Sequence, residues 1–238
     1  FGRVFILEKA NRIEGIFITI LGSMSQLLVT FITGTTGIYL LFLLRHETLM
    51  EYFNIPINLQ HYFFWGGAIL VVAINVLVIL LFLNISVLST LAGKVRGKLM
   101  KRLLSYIHVL SAYTTRELLI IIGLSLFRFL VFSFQLFLLF RVFGVDLPFI
   151  INMLIIAVIF FVMTMIPTVA ITELGIRGSV ALFLVGIYFG DPLDMPENIN
   201  LGIIAASTSL WIINLVIPAL TGTLFVFNLK FFRRSRHD

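Results

Sequence analysis

The sequence predicts an all-α fold, a polytopic integral membrane bundle of about six helical spans. Of its 238 residues, 60% are hydrophobic and only 12% are charged, whereas a soluble domain is about 25% charged. The mean hydropathy is +1.12. Apolar runs long enough to cross a bilayer as helices recur along the chain. Together these observations predict a single transmembrane domain over residues 1–238.

The net charge of +6 also fits a membrane protein. The Lys and Arg residues lie between the apolar runs, as they do in cytoplasmic connections, so the charge does not predict nucleic-acid binding. The chain has no cysteine, which excludes disulfides and thiolate metal sites. The chain opens at Phe1 rather than Met, with a charged segment before its first apolar run and no visible signal peptide, so we expect an N-terminal truncation with sequence upstream of Phe1.

Two spans are predicted in the first third of the chain. The first covers about residues 15–44, long enough to cross with a tilt or with a break at Gly34 to Gly37. Pro56 marks the loop that follows. The second span covers residues 63–83, whose side chains are almost entirely apolar.

The connection over residues 85–115 is the most basic part of the chain. Its apolar residues recur at helical spacing opposite Lys98, Lys101 and Arg102. This pattern predicts an amphipathic helix lying on an anionic leaflet. A solvated basic loop is the alternative.

The third span begins at a predicted capping box. In Thr114 to Glu117 (TTRE), the Thr and Glu side chains have the spacing that satisfies backbone donors at a helix start. We therefore interpret Glu117 as a cap and not as a catalytic acid. The span runs to about residue 140, and a short loop leads to a fourth span over residues 149–166.

The remaining spans are predicted at 178–190 and 201–227, after a break that begins at Pro167. Six crossings place the most basic connections on one side of the membrane together with both visible termini. The positive-inside rule assigns that side to the cytoplasm. The piece after Gly178 is short for a full crossing, so a re-entrant hairpin over residues 167–190 is the alternative.

The broken centre around Pro167 is where we expect function. Glu173 and Arg177 follow the proline, and their spacing of four places both on one face of a helix. A carboxylate and a guanidinium in so apolar a region are costly unless they pair, face a watery cavity or bind something. Broken helices at membrane depth are typical of transporter sites.

Polar side chains also recur on single faces of neighbouring spans. Small and hydroxylated residues at such spacing often mark helix packing, and a structural pair between Arg128 and Glu173 is a further alternative. Ionisable groups at depth more often mark sites. The candidate substrate-binding residues are Arg128, Gln135, Pro167, Thr168, Thr172, Glu173, Arg177, Trp211 and Asn214.

The sequence offers no recognisable catalytic centre. It contains no glycine-rich phosphate loop, no H-E-x-x-H pair and no nucleophile elbow. Its four histidines have no metal-ligand spacing. We therefore predict a protein that is not an enzyme and has no catalytic residues, metal site or cofactor.

Three motifs resemble the lysylphosphatidylglycerol synthase transmembrane (flippase-like) domain family over residues 118–230. The first is the Pro, Glu and Gly pattern of residues 167–190, in which PTVAITELGIRG replaces the family's usual glycine-rich run. The others are R-F-x-V-F-x-x-Q, from Arg128 to Gln135, and W-x-x-N-x-x-x-P, from Trp211 to Pro218. They are similar to those of stand-alone, uncharacterised members of Bacteroidetes type.

The resemblance implies a bacterial inner-membrane protein that binds or moves (amino)phospholipid between leaflets. It implies no lysyl transfer, because this chain has no soluble catalytic domain, and the family domain usually has more than six spans. A structural or scaffolding subunit with a buried Arg–Glu pair is the alternative, and an embedded lipid-modifying enzyme is a third. The expected partners are membrane phospholipids and no nucleic acid, with a homo-oligomer or a partner membrane protein left open.

Overall fold

The computed structural model describes residues 9–44, 57–83, 114–166, 170–189 and 195–233. All regular structure in these ranges is helical, which confirms the all-α class. The elements are α1 (Lys9–Leu44), α2 (Ile57–Leu83), α3 (Thr115–Val142), α4 (Phe149–Met165), α5 (Ala170–Phe189), α6 (Glu197–Trp211), a π-helical turn (Ile212–Val216) and α7 (Ile217–Arg233). The predicted amphipathic helix between α2 and α3 lies outside the described residues.

The described helices are those of a multi-pass membrane protein. Five stretches are long and apolar enough to cross a bilayer, namely Ile18–Leu44, Phe64–Leu83, Thr115–Val142, Thr172–Phe189 and Glu197–Phe225. Helix α4 is also apolar but has 17 residues, a length of about 25 Å. These six elements agree with the prediction of about six spans.

The helix boundaries sharpen two of the predictions. Helix α1 runs through Gly34 and Gly37 without a break. Helix α5 starts at Ala170 instead of residue 178, and its 20 residues span about 30 Å. Helix α5 is thus continuous over residues 170–189 and does not reverse direction within them.

The chain divides into two compact units, residues 1–132 and 133–238, and the division falls within α3. The first unit has an apolar core drawn from three helices. Leu21 and Leu28 of α1 pack with Phe82 of α2 and Leu118 of α3. The single domain predicted over residues 1–238 stays a prediction.

Polar side chains also join the helices of the first unit. The hydroxyls of Ser25 and Ser125, both buried, lie 2.7 Å apart and connect α1 to α3. Asn75 of α2 lies 2.9 Å from Thr35 and 3.3 Å from Thr36 of α1. Because lipid provides no competing water, such interhelical hydrogen bonds help to hold membrane helices together.

The start of α3 confirms the predicted capping box. The backbone N–H of Thr114 donates to Oε2 of Glu117 at 2.8 Å. The backbone N–H of Glu117 in turn donates to Oγ1 of Thr114 at 3.4 Å. Two backbone donors that the helix itself leaves unpaired are thus satisfied.

The end of α3 is fixed by an equally local motif in the second unit. Gly144 has a φ of +77°, a conformation that glycine adopts without steric cost. The N–H of Val145 bonds the carbonyl of Phe140 at 2.8 Å, and that of Gly144 bonds Arg141 at 3.2 Å, the pattern of a Schellman cap. Arg141 also forms an exposed ion pair with Asp146 at 2.7 Å.

Helices α4, α5 and α6 pack in sequence order in this unit, α4 against α5 and α5 against α6. The face of α4 around Ile155, Ile156 and Ile159 is fully buried. Gly202 of α6 lies against the loop that follows α3, since a Cβ atom added there would stand 2.4 Å from the carbonyl oxygen of Phe143. This close approach requires glycine.

The capping box should contribute measurably to stability. We expect Thr114→Ala to lower the free energy of unfolding by about 1 kcal/mol, because α3 loses its N-cap. Thr115→Ala is the matched control, since Thr115 is exposed and the capping bonds are made by Thr114 and Glu117. Unfolding curves in detergent micelles measure both, and equal stability of the two variants would contradict the assigned cap.

Gly202→Ala should destabilise the second unit by about 1–3 kcal/mol, because the loop carbonyl would have to move. Gly222→Ala is the control, since an added Cβ meets nothing within 4 Å there, and it should be neutral or stabilising. The same unfolding measurement compares the two substitutions. A Gly202→Ala protein as stable as the parent would show that α6 does not approach the loop this closely.

Candidate functional site

The candidate site begins where α4 ends. Ile166, the residue before Pro167, has φ −97° and ψ 112°, the extended conformation that a following proline favours. Pro167 and Thr168 themselves lie outside the described residues. Helix α5 resumes at Ala170, so Glu173 falls in its first turn and Arg177 one turn later.

Glu173 and Arg177 form an ion pair on α5. Nη2 of Arg177 donates to Oε1 of Glu173. The side chains are largely covered, with exposed fractions of 24% for Glu173 and 14% for Arg177. Glu173 also lies at the positive end of the α5 dipole, which favours a carboxylate there.

The ion pair leaves part of the guanidinium unused. Nε of Arg177 is buried and has no hydrogen-bond partner among the described residues. An arginine carries five N–H donors in a planar fork, which suits the oxygens of a phosphate or a carboxylate. The pair is therefore neutral as a whole but retains donors for an anionic group.

The pair lies at one end of a buried helix face. Ala181 and Val185 continue the face at intervals of four residues, and both are fully buried. Gly178, next to Arg177, is buried as well. The two charged side chains thus lie between the apolar interior of the unit and the break before α5.

A second polar contact joins α3 to the π-helical turn. Nδ2 of Asn214 donates to Oε1 of Gln135 at 3.0 Å. The contact lies on the surface, where Asn214 is exposed and Gln135 half-buried. Both residues were predicted in a substrate-binding set, and their contact brings two elements of that set together.

Three further residues of the predicted set are described by the structure: Arg128, Thr172 and Trp211. Arg128 is exposed, and its guanidinium lies 5.4 Å from the ring centroid of Phe132. Trp211 is half-buried at the last position of α6, and Thr172 is exposed beside Glu173. No hydrogen bond between described residues joins the Glu173–Arg177 pair to the Gln135–Asn214 pair.

The sequence-based set omitted some buried polar groups of the second unit. Asn152 is fully buried, yet neither polar atom of its amide has a partner among the described residues. The hydroxyls of Ser133 and Ser207 are likewise buried and unpaired there. Asn152 could have been identified from the sequence, because it is a single asparagine within the apolar run that forms α4.

Comparisons with protein-family models, with curated proteins and with solved structures found no match for this chain. The family resemblance therefore stays a prediction that rests on the three motifs.

Ser207→Ala tests whether the unpaired hydroxyls are a cost to the fold. We expect it to raise the free energy of unfolding by up to about 1 kcal/mol, because it removes a buried group that has no partner. Ser125→Ala is the comparison and should lower that free energy by about 1 kcal/mol, because it breaks the bond to Ser25. Unfolding in micelles measures both, and a Ser207→Ala protein that loses stability would reveal a partner of this hydroxyl.

Proposed function

We propose that this multi-pass membrane protein binds the headgroup of a phospholipid at the Glu173–Arg177 pair and moves the lipid between leaflets. The observation that carries the proposal is the position of this pair. It lies in an apolar helix directly after a helix break, with the Nε donor of Arg177 unpaired among the described residues.

The energetic cost of such a pair supports a functional role. A charged side chain costs about 3 kcal/mol at the centre of a membrane helix. Glu173 and Arg177 lie near the start of α5, and there the cost comes from their burial within the protein. An ion pair in an apolar interior often adds no stability over well-packed apolar side chains. A purely structural role for Glu173 and Arg177 would therefore cost folding free energy without a matching gain. Binding a charged ligand would explain their presence.

The two side chains match the chemistry of a phospholipid headgroup. The remaining N–H donors of Arg177 can bind the phosphate. Glu173 can bind the ammonium group of an aminophospholipid or an aminoacylated lipid. When such a lipid binds, its phosphate and ammonium groups would replace the bond between Glu173 and Arg177. Each charged side chain would then still have a partner of opposite charge while the lipid moves.

We propose no lipid movement driven by nucleotide hydrolysis, because these 238 residues contain no glycine-rich phosphate loop. Lipid would move down its own gradient or with an ion gradient. No chemical transformation of the lipid is proposed.

The motif resemblance supports the same reading. It suggests a lipid-moving domain in a bacterial inner membrane, and the distribution of Lys and Arg suggests that both visible termini are cytoplasmic. Gln135, Trp211 and Asn214 belong to the resembling motifs, but the proposed headgroup contacts are made by Glu173 and Arg177 alone.

A structural subunit is the second candidate function. The specific observation in its favour is that Glu173 and Arg177 lie on one helix and neutralise each other. In that case the pair only allows α5 to reside in the membrane, and its loss would reduce stability or assembly without a separate effect on lipid.

Glu173→Gln and Arg177→Gln test the proposal. We expect each to slow lipid transfer between leaflets by about tenfold or more, because each removes a charge-assisted hydrogen bond to the headgroup. The measurement follows a fluorescent phospholipid in proteoliposomes that contain the full-length protein. Arg141→Gln is the control, because its ion pair with Asp146 is exposed at the end of α3.

Thermal melts of the same variants separate the two candidate functions. Slow transfer by a variant that melts like the parent supports the lipid site. Parental transfer by both variants would remove the pair from the mechanism. If the parent protein itself moves no lipid and the variants only melt earlier, the pair is structural.

A further inference from the structure

The Gln135–Asn214 contact leaves hydrogen-bonding groups free on an apolar surface. The bond uses one N–H of Asn214 and the oxygen of Gln135. The NH₂ group of Gln135 and the oxygen of Asn214 make no other hydrogen bond within the described part of the chain. If both amides were turned over, one NH₂ group and one oxygen would still remain free.

Asn214 lies in the π-helical turn, where the N–H of Ile217 bonds the carbonyl of Ile212, five residues earlier. The next residue, Pro218, has no N–H to donate. Unpaired polar groups are costly in contact with lipid, so this surface calls for a polar partner.

We propose that the partner is a second copy of this chain. The amide pair presents one donor next to one acceptor, so it is complementary to itself under two-fold symmetry. Gln135 of each copy would donate to Asn214 of the other, which forms two equivalent hydrogen bonds. A two-fold interface requires this kind of self-complementary contact.

The surroundings of the pair favour association between identical copies. Residues 198–229 carry no charged side chain, so the π-helical turn and this part of α7 meet their counterparts in a second copy without repulsion between charges. The nearest exposed charges on the helix of Gln135 are Arg128 and Arg141, each about two turns away. Ile212, Ile213 and Ile217 are 40–49% exposed around Asn214 and provide an apolar rim. Residues 217–225 of α7 are exposed throughout, which leaves this helix available for packing against another.

The lack of charge also distinguishes this surface from the proposed lipid site. A phospholipid phosphate is bound best by cationic donors, and neither the turn nor residues 217–225 provide one. Neutral amides at membrane depth are instead typical of contacts between helices. The dimer does not rest on the proposed lipid transport, and the two are measured separately.

Cysteine cross-linking tests the dimer directly, because these 238 residues contain no cysteine. Ile213→Cys places a thiol beside the proposed two-fold axis in the full-length protein reconstituted in liposomes. We expect a cross-linked dimer whose yield falls as lipid dilutes the protein. Val72→Cys on α2, also exposed, should give little cross-linking under the same conditions.

Substitutions of the amides then test the proposed contact. In the Ile213→Cys protein, we expect Gln135→Leu or Asn214→Leu to weaken association about tenfold, since two symmetric hydrogen bonds are lost. Thr223→Ala is the matched control, because Oγ1 of Thr223 already bonds the carbonyl of Ala219 within α7 at 2.7 Å. It should leave the dimer unchanged.

Single-molecule counting of labelled protein provides a measurement that needs no variant. The copies are counted at the protein-to-lipid ratio used for cross-linking the Ile213→Cys protein. The proposal would be overturned if most of the protein were monomeric at that ratio. Cross-linking that survives both amide substitutions would also overturn it, as would cross-linking only to a different membrane protein. Dimers that fall apart in folded Gln135→Leu protein would support it.

Discussion

The chain folds under one constraint, which is that polar groups inside a bilayer must find partners within the protein. Helices satisfy the backbone internally, and the local motifs at their ends complete the pairing. Thr114 and Glu117 cap the start of α3, while the positive φ of Gly144 closes its end. Between these caps an apolar helix of 28 residues can lie in lipid, because its exposed side chains need no water.

Side chains within the spans meet the same constraint in different ways. Ser25 and Ser125 pair between helices, and many threonines bond a carbonyl of their own helix, as Thr33 does with Val29. Glu173 and Arg177 pair within α5 but leave Nε unused. Gln135 and Asn214 bond each other and still expose a donor and an acceptor. A ligand or a partner protein that binds at these groups would supply the hydrogen bonds that they lack.

Local signals made much of this chain predictable. The capping box, the end of α3 near residue 140 and the apolar spans follow from spacing and composition that act over a few residues. The Glu173–Arg177 contact also follows from a separation of four on a helix. The start of α5 was placed too late, at residue 178, because the break predicted at Pro167 was drawn too long. In an apolar environment the helix starts as early as it can, since backbone outside a helix exposes unpaired polar groups.

The sequence by itself determined the helical membrane class, the approximate spans and the residues with unusual charge or polarity. These properties depend on periodicity and on the cost of polar groups in lipid, and both are readable along the chain. The tertiary structure decided which of those residues meet. It joined Gln135 to Asn214 across 79 positions, set Gly202 against the carbonyl of Phe143 and buried Asn152. Such contacts arise from the packing of distant segments, for which a single sequence has no local signal.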